Sequence, residues 1–182
     1  MAAVMVARQG RELQRYSDNT GGRMVVGCIP YRVRGDGGGV EVLVISSQKK
    51  GAAAGDVVMF PKGGWELDES VDEAARREAL EEAGVLGEIG ASLGRWCYRS
   101  RRYDATYEGF VFPLRVTDEL DRWPEMAARR RSWVSPQQAM DRCPHWWMRE
   151  ALQRFADLFP QSTPLSLLQA AAAASSPELR AM

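Results

Sequence analysis

The chain has 182 residues, with 24 basic and 24 acidic side chains and a formal net charge of zero. This length predicts one domain, and the charge balance excludes a uniformly basic protein that binds a nucleic-acid polymer. The single histidine, His145, excludes a metal site with two histidine ligands, and three widely spaced cysteines exclude a disulfide framework or a zinc ribbon. No apolar run approaches the ~20 residues that a membrane-spanning helix needs, so no membrane partner is expected.

Residues 1–20 predict an N-terminal extension. They contain Arg8, Arg11 and Arg15 beside two acids, Glu12 and Asp18, and lack the apolar stretch of a secretory signal. We expect these residues to form a frayed terminus. The sparse cysteines favour a reducing compartment, so a cytoplasmic protein is expected. The arginines suggest the alternative, which is a mitochondrion or another organelle.

The next part of the chain predicts a β-hairpin. Residues 24–33 and 40–46 are rich in β-branched and apolar side chains, and the glycine-rich segment between them has the composition of a turn. Residues 49–56 are small and typical of a loop. Residues 57–60 predict a short third strand.

Residues 70–83 predict a helix with signals at both ends. Ser70 and Glu73 have the spacing of a capping box, in which each side chain accepts a hydrogen bond from the other residue's backbone amide. Gly84 stands where a helix commonly ends in the left-handed conformation.

The remainder of the chain predicts more strands and two more helices, which places the protein in the α/β class. Strands are predicted at 93–98, 106–116 and 131–134, helices at 136–141 and 146–158, and a low-complexity tail at 161–182. The last helix is expected to pack through Trp146 and Trp147. The domain is therefore expected to span residues 21–160.

The helix at 70–83 carries acids on an otherwise apolar stripe. At about 100° per residue, Glu78 and Glu82 continue the stripe that Ala74 and Ala75 begin, and Glu81 lies at its edge. Carboxylates that point toward packed structure must be neutralised, and three close carboxylates raise one another's pKa. A divalent cation resolves both problems, and oxygen ligands favour Mg²⁺ or Mn²⁺.

The loop before this helix strengthens that interpretation. It contains Gly63 and Gly64, which let the backbone approach a ligand closely, and Lys62, which adds a positive charge. A glycine-rich loop alone is weak support, but together with the three glutamates it indicates a site for a metal and a phosphorylated ligand.

The loop and the helix together resemble the Nudix box. The fixed positions of that motif are matched by Gly63, Glu69, Arg77, Glu78, Glu81, Glu82 and Gly84. Ala79 departs from it, because the box has a bulky aliphatic residue at that position. The resemblance implies an α/β/α sandwich with a mixed β-sheet and an enzyme that hydrolyses a diphosphate linkage. It also implies a structural role for Glu69, Arg77 and Gly84.

The same resemblance implies the roles of the remaining matched residues. Glu78 and Glu82 would bind the metal, with the Gly63 carbonyl as a lesser ligand. Glu81 would act as the general base or as an additional ligand. The residues alone do not divide the base from the ligands among three neighbouring glutamates.

Outside the box the chain resembles one branch of the family, the diphosphoinositol polyphosphate and diadenosine polyphosphate hydrolases, especially plant members. Three segments carry this resemblance: the end of the second predicted strand with Lys49, the cluster at 129–133 and the segment at 123–125 upstream of it. The segment at 145–149 resembles the plant members. A highly phosphorylated substrate needs many cations, and arginine suits phosphate. The candidates for substrate binding are Arg23, Ser46, Ser47, Lys49, Lys62, Arg129 and Arg130.

Other functions stay open on the sequence alone. One is a pyrophosphatase for ADP-ribose or NADH, and another is a Nudix fold that binds a ligand without catalysis. The presence of all three box glutamates favours an enzyme. Glu108 and Glu125 lie outside the box, and either could supply an additional metal ligand. The sequence predicts no particular oligomeric state.

The zero net charge is the sum of two unlike parts. Residues 66–88 contain nine acids and two arginines, a balance of −7, whereas the rest of the chain has 22 basic and 15 acidic residues, a balance of +7. This division fits a small polyphosphorylated substrate, because the acids can gather a divalent metal while the arginines contact phosphates.

Overall fold

The computed structural model describes residues 6–47, 57–100 and 103–160. Lys49, with the whole of the predicted loop at 49–56, and the predicted tail at 161–182 lie outside these residues. None of the helices in the described part is both long and apolar enough to cross a membrane.

The described residues form a β-sheet of eight strands and three helices. The strands are β1 (Arg23–Val33), β2 (Val40–Ser46), β3 (Val58–Met59), β4 (Lys62–Gly64), β5 (Val85–Ile89), β6 (Gly94–Ser100), β7 (Ala105–Glu119) and β8 (Arg131–Val134). The helices are α1 (Val71–Glu78), α2 (Pro136–Arg142) and α3 (Trp146–Asp157), and α1 continues into a π-helical turn at Ala79–Ala83.

Strand β1 organises the sheet because it pairs along both of its edges. On one edge, residues Arg23 to Tyr31 pair in parallel with β7. On the other edge its N-terminal half pairs antiparallel with β4, and its C-terminal end pairs antiparallel with β2. The sheet is therefore mixed, as predicted.

Helices cover both faces of this sheet. Helix α1 packs its alanines against one face, where the buried core includes Val26, Cys28, Leu43, Ile45 and Leu114. Helices α2 and α3 cover the other face, where Ile29, Val44, Val111, Met148 and Phe155 are buried. Successive side chains of β1 and β7 point to opposite faces of the sheet, so each of these strands contributes residues to both cores. This is the predicted α/β/α sandwich.

Every predicted strand and helix is present, with ends that shift by a few residues. Two strands were missed, β4 and β5. Trp147 is buried as expected, at 3% exposure, but the expectation for Trp146 is wrong, since it is 49% exposed at the first residue of α3.

The expectation of a frayed N-terminus is wrong for residues 8–20. This segment lies along the loop between β4 and α1, with Gln14 opposite Glu66. Backbone hydrogen bonds run from Arg15 to Trp65 O (2.9 Å) and from Leu67 to Leu13 O (2.7 Å). The buried side chain of Gln14 donates to the carbonyl oxygens of Arg15 and Met24. The segment is thus part of the folded structure.

Candidate active site

Local sequence fixes both ends of the helical segment that carries the glutamates. Ser70 Oγ accepts from the Glu73 amide (3.2 Å) and Glu73 Oε2 accepts from the Ser70 amide (2.7 Å), so the predicted capping box is confirmed. Gly84 ends the segment with φ 65°, the left-handed conformation that glycine adopts without strain.

The π-helical turn brings all three box glutamates to the buried side of the helix. A regular α-helix would leave Glu81 at the edge of the stripe, but the wider turn at Ala79–Ala83 changes the phase of the side chains. Glu78, Glu81 and Glu82 are 6%, 8% and 7% exposed. The site is therefore more enclosed than the sequence predicts.

Strand β4 separates two groups of polar side chains. A Cβ atom at Gly63 would overlap the Glu78 carboxylate, and a Cβ atom at Gly64 would overlap Gln14 and lie against Arg23. Successive residues of a strand face opposite sides of a sheet. The two glycines thus allow a carboxylate on one face and a guanidinium on the other to contact the same backbone.

Arg77 joins the box loop to the glutamates. Its Nε and Nη2 donate to the two oxygens of Glu69 (2.9 and 2.7 Å), and Nη2 also donates to Gly64 O (2.8 Å). Nη1 donates to Glu78 Oε1 (2.7 Å) and to Glu81 Oε2 (3.3 Å). The largely buried guanidinium of Arg77 therefore holds the loop, the helix and two of the three carboxylates together.

Glu82 is held from the opposite side. Its Oε2 accepts from the Lys62 amide (2.9 Å) and its Oε1 accepts from Arg129 Nη2 (2.6 Å). Arg129 also donates to Glu125 Oε2 (2.5 Å) and to Ser46 O (3.1 Å). Arg129 thus brings the end of β2 and the segment before β8 to the carboxylates.

Burial raises the pKa of all three glutamates. For Glu78, desolvation is the largest cause, repulsion from Glu82 adds to it, and Arg77 opposes it. Burial likewise raises the pKa of Glu82 against the nearby charge of Arg129, and that of Glu81 against a hydrogen bond from the Arg8 amide. Ionised carboxylates at these positions therefore require more positive charge than the two arginines supply.

The donor set fits a hard divalent cation. Within the described ranges, no group of three His, Cys, Asp or Glu side chains already stands in metal-binding geometry. The glutamates instead contact Arg77 and Arg129. Even so, buried carboxylate oxygens with raised pKa values match the oxygen ligands that Mg²⁺ and Mn²⁺ prefer. Glu78 and Glu82 are the carboxylates that could hold such an ion, and the backbone of Gly63 lies against Glu78.

The three consecutive arginines of the predicted cluster have different surroundings. Arg129 lies among the carboxylates. The side chain of Arg130 is exposed, and its amide donates to Ser46 Oγ (2.9 Å). Arg131 donates to Ala83 O (2.8 Å) and Leu120 O (2.6 Å) and stacks on Trp123. Arg131 therefore stabilises the end of the π-helical turn.

Most of the predicted substrate-binding residues lie near one another in the structure, but Arg23 lies apart from them. Ser46, Lys62, Arg129 and Arg130 meet at one end of the sheet, and the half-buried Ser47 follows Ser46 directly. Arg23 lies on the other face of β4, where its Nε donates to Gln14 Oε1 (2.6 Å). Lys49 lies outside the described residues.

The two acids outside the box also differ. Glu125 contacts Arg129 beside the site, and its amide donates to Glu81 O (3.0 Å). Glu108 lies elsewhere, with Thr20 and Arg95 on its two oxygens.

Sequence reasoning missed one residue at the site. The Arg8 amide donates to Glu81 Oε1 (3.1 Å), while its guanidinium pairs with Glu66 and Asp68. No local pattern signals this contact, because it depends on the N-terminal segment folding along the box loop. Trp65, in the box loop, packs edge-on against Phe110.

Comparisons with known proteins identify the family. A family model described as NUDIX domain matches residues 22–155, and the chain belongs to the Nudix hydrolase family. It is 52% identical over 153 residues to "Nudix hydrolase 21, chloroplastic" of Arabidopsis thaliana, which covers 83% of this chain and 74% of the relative. It is 54% identical over 153 residues to "Nudix hydrolase 18, mitochondrial" of the same plant, covering 81% and 83%.

A more distant relative supports the resemblance to one branch. The chain is 33% identical over 128 residues to "Diphosphoinositol polyphosphate phosphohydrolase 3-alpha" of Mus musculus, covering 69% of this chain and 72% of that protein.

Solved structures share the fold. A NUDIX hydrolase from Nitrosomonas europaea superposes with a TM-score of 0.61 at 21% identity, covering 80% of this chain and 95% of the other. A C. elegans Ap4A hydrolase complex gives 0.56 at 19% identity, covering 74% and 96%. The protein is therefore an enzyme of a family whose general reaction is the hydrolysis of pyrophosphate linkages and which generally needs a divalent cation.

Proposed function

We propose that the protein hydrolyses a diphosphate linkage in a diphosphoinositol polyphosphate or a dinucleoside polyphosphate. The observation that carries this proposal is the position of Arg129. It lies between the buried glutamates of α1 and a surface that includes Ser46, Lys62 and Arg130. A polyphosphate bound across that surface would contact the protein's positively charged side chains and lie beside the protein's metal-binding carboxylates.

In this proposal each glutamate has one role. Glu78 and Glu82 hold Mg²⁺ or Mn²⁺ with help from the Gly63 carbonyl. When bound, the ion neutralises charge on the pyrophosphate oxygens and polarises phosphorus. Glu81 accepts the proton of the attacking water, and its carboxylate is oriented by the Arg8 amide and Arg77.

The remaining polar residues bind and orient the substrate. Arg129 keeps Glu82 in place, so its guanidinium stays beside the metal ligands. Arg130 is exposed and forms no ion pair within the described part of the chain, so its charge is available to a phosphate. Lys62 adds a further positive charge near Glu82. Glu69 and Arg77 hold the loop against the helix.

The names of related proteins support this substrate class. One relative is a diphosphoinositol polyphosphate phosphohydrolase, and one protein of similar fold is an Ap4A hydrolase. The charge division along the sequence agrees with both. Two relatives are named as chloroplastic and mitochondrial, which favours an organelle over the cytoplasm for this protein too.

A substrate panel tests the proposal. The purified full chain with Mg²⁺, and separately with Mn²⁺, is offered a diphosphoinositol polyphosphate, diadenosine polyphosphates, ADP-ribose and NADH. We expect the highest kcat/KM on one of the first two compounds. Preference for ADP-ribose or NADH would overturn the substrate class. Absence of turnover on all four, with wild type equal to Glu82→Gln, would overturn the proposed hydrolase and support a Nudix fold without catalysis.

A further inference from the structure

The turn that precedes β8 is attached to the helical segment that carries the box glutamates. The amides of Ala128 and Arg129 donate to Glu125 O (2.9 and 3.0 Å) and close the turn. The Glu125 amide in its place donates to Glu81 O (3.0 Å). The last carbonyl oxygens of a helix have no partner within the helix, and this amide supplies one of them with a donor. The backbone of Glu125 is therefore fixed beside the carboxylates.

The side chain of Glu125 pairs with Arg129, four residues further along the same turn. Its Oε2 accepts from Arg129 Nε at 2.5 Å. The Glu125 side chain is 19% exposed and the Arg129 side chain is 9% exposed, so water and salt screen the pair only weakly. A charge-assisted hydrogen bond in such surroundings is stronger than one between exposed side chains. Glu125 therefore restrains the guanidinium more firmly than a surface carboxylate would.

Three hydrogen bonds fix the plane of the Arg129 guanidinium. Nε donates to Glu125, Nη1 donates to Ser46 O (3.1 Å), and Nη2 donates to Glu82 Oε1 (2.6 Å). A guanidinium has five N–H donors. Within the described residues, one N–H on each terminal nitrogen therefore remains for another acceptor. Two N–H groups on one rigid plane suit the oxygens of a phosphate.

Glu125 adds a fourth negative charge next to the three buried glutamates. Burial is the main cause of the raised pKa of Glu82 and of Glu81, and the charge of Glu125 adds to both. Such a charge is unfavourable in a shielded place unless a cation pairs with it, and Arg129 is that cation. The sequence left Glu125 open as an additional metal ligand. Its contact with Arg129 favours a different role.

We propose that Glu125 is a positioning residue that orients Arg129 toward a phosphate of the substrate. Glu125 acts on the guanidinium and binds neither the metal nor the substrate. With Nε held by Glu125, the two remaining N–H groups of Arg129 stay in place beside Glu82, where the substrate and its metal would meet. The inference rests on the proposed function and deepens it, because it names the residue that prepares one phosphate contact.

Steady-state kinetics of the full chain on the best substrate of the panel test this role. Glu125→Ala should raise KM about tenfold and leave kcat within about twofold of wild type, because a phosphate contact present in both the bound and transition states is weakened. Glu125→Gln keeps an oxygen that can accept from Nε, so its KM should return to within about threefold of wild type. Unchanged KM in Glu125→Ala would overturn the inference.

Two further variants separate positioning from a general loss of structure. In an Arg129→Met background, Glu125→Ala should not raise KM further, since there is no guanidinium left to orient. Additive effects of the two substitutions would overturn the inference. The matched control is Glu119→Ala, which removes the acid 3.4 Å from Arg131 and should leave KM within about twofold of wild type.

Metal binding is measured without catalysis, from the melting temperature as Mn²⁺ is added. The apparent Kd for Mn²⁺ should stay within about twofold of wild type in Glu125→Ala. A larger rise would identify Glu125 as a metal ligand and overturn the inference.

A binding measurement keeps this inference separate from the proposed function. Inorganic tripolyphosphate is titrated by calorimetry into the full chain in buffer free of divalent ions. Glu125→Ala should raise its Kd about tenfold, and an unchanged Kd would overturn the positioning role. If wild type hydrolyses none of the panel compounds and the Kd still rises in the variant, the proposed function alone is overturned.

Discussion

The backbone of Gly63 lies directly against the carboxylate of Glu78, so closely that a Cβ atom at position 63 would overlap that group. Glycine is required here for space, because Gly63 is in an ordinary strand and pairs with Val26. The same closeness puts the Gly63 backbone within reach of any ion that Glu78 holds. Strand β4 and helix α1 therefore form one site, although six residues separate their nearest ends in the chain.

Replacing Gly63 by alanine should displace Glu78 and reduce kcat by about 10², because small shifts of a positioned group have effects of that size. Steady-state kinetics on the best substrate of the panel, with the melting temperature measured in parallel, would test this. The matched control is Gly35→Ala in the turn between β1 and β2, where a Cβ atom meets nothing within 4 Å. Equal activity of the two variants would contradict the packing argument.

Glu82→Gln should reduce kcat to below about one hundredth of wild type while the protein stays folded. Wild type should also gain melting temperature on addition of Mn²⁺ or Mg²⁺, because an ion that binds only the folded state stabilises it, and the variant should gain less. Glu88→Gln, at an exposed acid paired with Arg115, is the control and should behave as wild type. If Glu82→Gln unfolds the protein, the interpretation of this residue as a metal ligand is wrong.

Arg130→Ala should raise KM by about tenfold for the most highly phosphorylated substrate and less for substrates with fewer phosphates. The reason is that its exposed side chain is free of ion pairs within the described residues. Arg131→Ala should instead lower the melting temperature, because Arg131 donates to the carbonyl oxygens of Ala83 and Gly84 at the end of the π-helical turn. Equal effects of Arg130→Ala on all substrates would argue against a polyphosphate site there.

Arg8 offers a way to alter Glu81 without changing any carboxylate. Arg8→Ala keeps the amide that donates to Glu81 and removes exposed ion pairs, so its activity should stay within about twofold of wild type. Arg8→Pro also removes the amide hydrogen, and kcat should fall by about fivefold with little change in KM. Identical kinetics for the two variants would show that this hydrogen bond does not position Glu81.

The features that sequence could predict are those that local chemistry determines. Ser70 and Glu73 cap α1 with their own neighbours, and Gly84 ends the segment through its own backbone, so spacing alone indicated them. The runs of β-branched, aromatic and apolar residues in β1 and β7 likewise indicated strands, and both strands contain long buried runs. Glu78 and Glu82 were recognised because they are acids on a helix stripe that is otherwise apolar.

The features that sequence could not predict depend on distant partners. Strand β4 consists of Lys62 and two glycines, which have low β propensity, and it exists because β1 offers an edge. Strand β5 contains Gly87 at a shift in its register with β7. Residues 129 to 131 are all arginine, so the sequence does not distinguish them. Their different contacts become visible only in the folded chain.

Glu108, which lies outside the carboxylate site, should make the stability of the folded state depend on pH. Burial acts to raise its pKa, but hydrogen bonds from Thr20 and Ser17 and the Arg95 guanidinium outweigh burial, so its pKa lies below the usual value. A carboxylate with a lowered pKa in the folded state stabilises that state when ionised. This contribution is complete above the unfolded value of 4.5 and is lost as the pH falls through the folded value.

Glu108→Gln should therefore lower the free energy of unfolding at pH 7 by about 1 kcal/mol, since it weakens hydrogen bonds to a charged group. The difference from wild type should shrink as the pH falls from about 4.5 to 3. Urea unfolding of both proteins across this range measures it. Glu88→Gln, at a 67% exposed carboxylate, should show a small difference at every pH. A Glu108→Gln difference that stays constant down to pH 3 would show that the ionised carboxylate does not anchor the N-terminal segment.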